Sequence, residues 1–232
     1  DPDMGVAADD LARIRGIGRE RQDAYAARSF ARAAACDFSA EIVTVNDVAT
    51  DERIRPNMTA QRLGRLRPTF TPAGTFTPAG TVTAGNSCGI SDGAAVLAIT
   101  TAERAAGMPA LRILGSAVAG SDPALPGLGP VPAIEKLLAR TGVGLEDIDT
   151  VEITEAFASV VLAVSDELGL DEGRICPEGG AIAMGHPWGA SGAILLVRLA
   201  SRMLQPGGPA LGLAACAIGG GQGIAMLVER AT

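Results

Sequence analysis

The sequence predicts an α/β chain, with helices on both faces of a mixed sheet, and three observations predict it. From residue 81 onward, apolar runs of strand length alternate with longer segments of helical periodicity. The run Ser191 to Leu204 is apolar nearly all round, the pattern of a helix buried on every side. Two apolar runs close the chain, Ala210 to Ala215 and Ile224 to Val228, and the glycines of Gly219-Gly220-Gly221-Gln222-Gly223 join them, as in a hairpin of a covered sheet.

Taken in order, residues 6 to 15 and 19 to 35 read as two helices punctuated by Gly16 and Gly18, the second with Tyr25, Ala26, Phe30 and Ala33 on one side. Ile42 to Val45 is a short strand candidate. After it comes a loop rich in Asp, Arg, Pro and Thr, in which residues 69 to 74 (TFTPAG) are repeated at 75 to 80. Two copies are too few for a solenoid and read as a duplicated surface turn or a binding loop. Thr81 to Ala84 leads into a glycine turn, and Asp92 to Ala106 reads as helical. Then come a strand at Leu111 to Val118, a helix at Pro132 to Arg140, a strand at Thr150 to Ile153 and a helix at Glu155 to Leu168.

With 232 residues, 47% of them hydrophobic, the chain can bury a substantial core as one large domain or two small ones. A net charge of -7 argues against a nucleic-acid or anionic-membrane surface, since both gain from a positive field. Cys36, Cys88, Cys176 and Cys216 form no CxxC pair, which points to free thiols in a reducing compartment. No apolar stretch reaches the ~20 residues of a membrane span. A cytoplasmic protein is the expectation. The opening Asp1-Pro2-Asp3 further suggests a fragment, a processed product or half of a split enzyme.

Several residues carry chemistry. His186, the single histidine, stands in Gly185-His186-Pro187-Trp188-Gly189-Ala190-Ser191-Gly192, where flanking glycines permit close approach by a ligand. The following helix would aim its positive end at the same spot, which suits an imidazole that polarises a carbonyl or activates a thiol; a structural histidine is the alternative. Cys216 ends an apolar strand before the glycine run, and is either packing or a reactive thiol with His186 as base. The run itself is a tight turn or a cradle of N–H groups for an oxyanion. Thr154 occupies a natural N-cap position, at a strand end of the kind where ligand sites collect. Arg53, Arg55, Arg62, Arg65 and Arg67 form a basic stretch that is either a phosphate receptor or a solvated or intersubunit face.

Three segments, read together, resemble the thiolases: Gly179-Gly180-Ala181-Ile182-Ala183-Met184-Gly185-His186-Pro187, Gly219-Gly220-Gly221-Gln222-Gly223-Ile224-Ala225-Met226, and Thr83-Ala84-Gly85-Asn86-Ser87-Cys88-Gly89-Ile90-Ser91-Asp92-Gly93. Gly127-Leu128-Gly129-Pro130-Val131-Pro132 and Glu155-Ala156-Phe157-Ala158 fall between them in the same order. The resemblance implies a thiolase-like layered α-β-α-β-α fold, present only in part: residues 1–74 as the remainder of a loop domain that holds coenzyme A, 75–106 as the end of the N-terminal half, and 107–232 as the C-terminal half. It also implies acyl transfer between coenzyme A thioesters, with acyl-CoA and CoA as partners, no permanently bound cofactor and no metal. A homo- or hetero-oligomer follows by the same analogy.

By this carry-over His186 is the catalytic imidazole and the N–H of Gly219 lines an oxyanion site. Met4, Ala84, Cys88 and Phe157 contact the pantetheine or acyl portion. No segment resembles the family's nucleophile region, so the acyl-accepting cysteine would come from a segment or subunit outside this chain. The family's second cysteine falls at Ala217 here, one place after Cys216. Since neighbouring strand residues face opposite sides, either a bulge returns Cys216 to the site or the proton-transfer thiol is missing. Thr154 stands where thiolases have the Asn that holds a water in the other oxyanion site, and Cys88 replaces a Ser that bonds the pantetheine.

Overall fold

In a computed structural model that describes residues 3–70 and 80–231, the chain opens with helices α1 (Met4–Arg15) and α2 (Arg19–Ala35). The Asp3 side chain accepts from the N–H groups of Gly5 and Val6, and Gly16 ends α1 at φ 65°, a left-handed conformation natural to glycine. α2 buries Tyr25, Ala26, Phe30 and Ala33, the stripe the sequence predicts.

The segment after α2 departs from expectation twice. Ile42 to Val45 forms no strand; a single bridge joins Val45 to Val48 around Asn46 and Asp47, both at positive φ. With no neighbouring strand to pair, Val43 and Val45 stay exposed. Asp92 to Ala106 is not a helix either: one turn forms, α4 (Ala102–Ala105), after the equally short α3 (Ala60–Leu63). Ile90, Val96 and Ile99 are each at least 81% exposed. A helix of this length draws its stability from burying a face, and among the described residues this segment buries no continuous face, only Ala95, Leu97 and Ala105 being half-buried. The central residues of the tandem repeat, 71–79, lie outside the described residues.

The remainder is a four-stranded mixed sheet of β1 (Leu111–Gly120), β2 (Thr150–Ile153), β3 (Leu211–Ile218) and β4 (Gln222–Arg230), in spatial order β1-β4-β3-β2. β4 runs antiparallel to both neighbours and β2 parallel to β3. Helices α5 (Pro130–Thr141), α6 (Ala158–Leu168), α7 (Ala181–Met184) and α8 (Trp188–Met203) connect the strands. Alternation along the strands divides the core. Leu213, Ala215, Ala225 and Leu227 join α5 and α6 in one cluster, while Ala214, Cys216 and Val228 meet Leu195, Leu199 and Met203 of α8 in another.

α8 starts at Trp188, and it is not buried all round: Trp188 is 81% exposed and only one stripe packs, on β3 and β2. α6 starts at Ala158 rather than Glu155. A Ser87–Phe157 bridge and the Cys88 N–H to Ala156 carbonyl bond, at 2.8 Å, hold the intervening residues in a turn. Thr154 therefore caps nothing; the Asn86 carbonyl accepts the first helical N–H, from Ala158, at 2.9 Å.

Candidate active site

The parallel pairing of β2 with β3 sets the first part of the site. Ile153 pairs with Ala215, and the Thr154 N–H donates to the Ala215 carbonyl at 3.1 Å, which puts Thr154 beside Cys216. The Thr154 hydroxyl is buried and has no hydrogen-bond partner by geometry, and the Cys216 S–H donates to the Ala217 carbonyl at 3.0 Å. The two side chains are close neighbours without a formed bond. Burial pushes the Cys216 thiol up, and the nearby Thr154 hydroxyl offsets this only in part.

β3 pairs with β4 in unbroken register through Cys216–Ile224, Ala217–Gly223 and Ile218–Gln222. No bulge turns Cys216 over; the register shift of the sheet lies between Ile113 and Gly115 of β1. Cys216 packs on the α8 face, and Ala217 points the other way.

Residues 84–88 lie against the Thr154–Phe157 turn, and buried Asn86 fixes them. Its side chain accepts from the Thr83 N–H at 2.8 Å and donates to Asp23 of α2 and to the Thr81 carbonyl, both at 3.0 Å. Cys88 is half-buried, its thiol pushed up by burial against the opposing pull of Arg53. Phe157 meets Phe70 edge to face at 6.4 Å, and Phe70 also crowds Gly5, next to Met4. Met4, Cys88 and Phe157 are thus linked through one aromatic pair and one bridge.

His186 joins this assembly through glycines. Its N–H donates to the Ser91 hydroxyl at 2.9 Å. A Cβ on Gly185 would lie 2.2 Å from Ser91 Oγ, and one on Gly93 2.7 Å from Pro187 Cγ, so the 89–93 and 185–187 segments can approach only without side chains there. The imidazole Nδ1 lies 2.5 Å from the Ser191 hydroxyl, in the first turn of α8. Desolvation lowers its pKa from 6.5, favouring the neutral ring. If Ser191 donates to Nδ1, Nε2 carries the proton and can polarise a carbonyl; in the other tautomer Nε2 is a free base.

Gly219 opens the turn between β3 and β4, where Gly220 and Gly221 have φ of 76° and 68°. Nothing lies within 4 Å of where its Cβ would be. Pro130, the first residue of α5, presses on this hairpin through Gly129, whose missing Cβ would fall 2.2 Å from the Gln222 carbonyl oxygen.

A cavity of about 680 Å³ opens elsewhere, between the end of α2 and α8, and ion pairs occupy its wall. Arg198 pairs there with Glu41 and Glu178, and Arg202 with Glu152 at 2.5 Å. The Arg198 and Arg202 guanidinium groups are neutralised by these pairs, and neither His186 nor the glycine turn lines the cavity. In the basic stretch Arg53 donates to the Ile90 carbonyl at 3.1 Å and Arg62 to the Asn57 carbonyl at 3.0 Å, so these two brace loops.

Two family sequence profiles match, the thiolase N-terminal domain over residues 1–103 and the thiolase C-terminal domain over residues 108–230. The chain belongs to the thiolase family. Its relatives include an acetyl-CoA acetyltransferase of Escherichia coli, 49% identical over 98% of this chain and 60% of that protein. A 3-ketoacyl-CoA thiolase of Vibrio parahaemolyticus is 43% identical over 98% and 61%. The Bacillus anthracis acetyl-CoA acetyltransferase structure superposes with a TM-score of 0.88 at 37% identity, covering 98% of this chain and 60% of that one. A human mitochondrial 3-ketoacyl-CoA thiolase in complex with CoA gives 0.85 at 35%, covering 99% and 59%. The chain thus spans about 60% of the length of these thiolases and holds part of the thiolase α/β fold.

Sequence reasoning gave no roles to Asn86, Ser91, Ser191 or Glu155, although all four lie inside the quoted motifs. A polar residue between glycines was the available signal for the first two.

Proposed function

We propose that this chain is the C-terminal part of an acyltransferase that moves an acyl group between coenzyme A thioesters, acyl-CoA and acetyl-CoA giving CoA and a 3-oxoacyl-CoA. The nucleophilic cysteine comes from a segment outside this chain. The observation that carries the reading is the single imidazole, desolvated and bound through Nδ1 to Ser191 at the start of a 16-residue helix, while Ser91 holds the His186 backbone N–H. There the ring and the helix dipole both favour negative charge developing on a thioester oxygen. Gly219 supplies a backbone N–H for the second oxyanion site, and Thr154 holds the water of the first. Met4, Ala84, Cys88 and Phe157 flank the pantetheine arm, residues 1–74 belong to the CoA-holding loop domain, and residues 75–106 and 107–232 belong to the two halves.

The experiment is thiolysis of acetoacetyl-CoA. The chain alone is expected to be inactive, and a nucleophile-bearing thiolase N-terminal segment to restore turnover. In the restored complex His186→Ala should lower the rate by about 10²–10⁴-fold. Full activity of the isolated chain would refute the split site.

One observation favours a second reading, a degenerate subunit that binds acyl-CoA without turnover. Ala217 occupies the place of the proton-transfer thiol, and Cys216 is packed against α8. CoA binding by the complex without condensation or cleavage selects this reading, and turnover abolished by Cys216→Ser rejects it.

A further inference from the structure

We propose that Glu155 is the positioning residue of this site, a buried carboxylate that holds both the His186 segment and the Thr154 corner on α2. The inference rests on the reading of His186 as the catalytic imidazole.

The Glu155 carboxylate is 1% exposed and takes three donors: the Tyr25 hydroxyl at 2.8 Å on Oε1, and the Ser29 hydroxyl at 2.7 Å and the Ile182 N–H at 3.2 Å on Oε2. Ser29 in turn accepts from the Gly180 N–H at 3.1 Å. Two backbone N–H groups leading to His186 are thus bound, one directly and one by relay, to side chains of α2 and the β2 end. Among the described residues no arginine pairs with this carboxylate, whereas Glu152, three residues earlier, pairs with Arg202. A buried carboxylate served only by neutral donors is a costly way to fill space, so its geometry is what it contributes.

The glycines of the motif fit this account. A Cβ on Gly180 would lie 2.6 Å from the Glu155 carboxyl carbon, and one on Gly179, at φ 82°, would lie 2.6 Å from the Ser29 carbonyl oxygen. α7 is a single turn that ends at Gly185 with φ 103° and has no side-chain cap of its own, and Glu155 meets its Ile182 N–H. His186 follows Ile182 by four residues, two past the end of α7, so displacement of that N–H moves the imidazole. Glu155 also immediately follows Thr154, and one carboxylate therefore sets the distance between the Thr154 hydroxyl and the ring.

The test is NMR on the full isotopically labelled chain, in which His186 gives the only histidine signal. Glu155→Ala should lower protection of the Gly180 and Ile182 amides by about 10-fold or more while Leu213 and Leu227 keep theirs. It should also move the His186 ring signal and return its pKa toward 6.5, as water reaches the freed loop. Glu155→Gln should restore both, since its carbonyl still accepts from Ser29 and Ile182 and its amide can donate to the Tyr25 oxygen. Ser29→Ala, which removes the relay to Gly180 and one donor to Glu155 but leaves the Ile182 bond, should change the same signals by less, and it serves if Glu155→Ala does not fold. An unchanged His186 signal with unchanged Gly180 and Ile182 protection in whichever variant folds overturns the proposal, as does a folded Glu155→Gln that fails to rescue. None of these readouts depends on turnover, so they stand even if His186→Ala leaves thiolysis intact.

Discussion

Residues 107–231 are richer in glycine and proline than residues 37–70 and 80–106, yet they form the more regular structure. In the first region the main apolar stripes meet: α5 and α6 cover one face of the sheet and α8 covers β3 and β2 on the other, while Ile113, Leu114 and Val118 of the edge strand β1 stay exposed. In the second, Val96 and Ile99 of the apolar run Ala94 to Ile99 stand in solvent with Val43, Val45 and Ile90, and only Ala95 and Leu97 of the run are half-buried. Periodicity in a sequence states which face seeks burial; only a partner surface decides whether the element forms.

Hydrogen exchange gives the widest test of that contrast. The β3–β4 ladder should exchange about 10⁴-fold or more slowly than a free chain, and amides 89–101 within about 10-fold of free-chain rates. Slow exchange in 89–101 would break the comparison. Core truncation comes next: Leu213→Ala or Leu227→Ala should cost about 2–5 kcal/mol by urea unfolding, because both are wholly buried, whereas Val96→Ala should stay within about 0.5 kcal/mol.

The same contrast explains what was legible in the sequence. The sheet, its closing hairpin and the helices at α1, α2 and α5 follow from local pattern because their partners lie within the chain. The pattern at 92–106 predicts a helix of which only Ala102–Ala105 forms, because periodicity carries no information on what the face packs against. The strand at 42–45 failed for want of a neighbour. The glycine-bounded histidine is visible as a motif, but the serine that holds its backbone N–H lies 95 residues upstream and the one on its ring in the first turn of α8, and no spacing rule joins the first of these. Whether Cys216 or Ala217 faces the α8 side depended on register, and the unbroken β3–β4 pairing settles that face. Glu155 was read as the start of a helix; its partners lie on α2 and α7, distant in sequence.

The smallest expected effect concerns pH. The folded chain holds the His186 pKa below 6.5, so between neutral pH and that lowered value the unfolded state binds the proton more readily. The stability associated with the neutral ring is therefore complete above pH 6.5 and falls as pH drops through the window down to the folded value. His186→Gln should remove this part of the decline, seen as a flatter change of urea midpoint with pH than in the parent chain. An identical slope in both would mean the ring is not desolvated as described.

The most direct measurement of the central claim is the His186 ring signal on addition of CoA and then acetyl-CoA to the complex formed with a nucleophile-bearing thiolase segment. The account predicts that the thioester shifts that signal beyond any change CoA alone produces, because the ring faces the acyl oxygen. A signal that stays fixed while amides of the Ala84 to Cys88 segment report binding would contradict it.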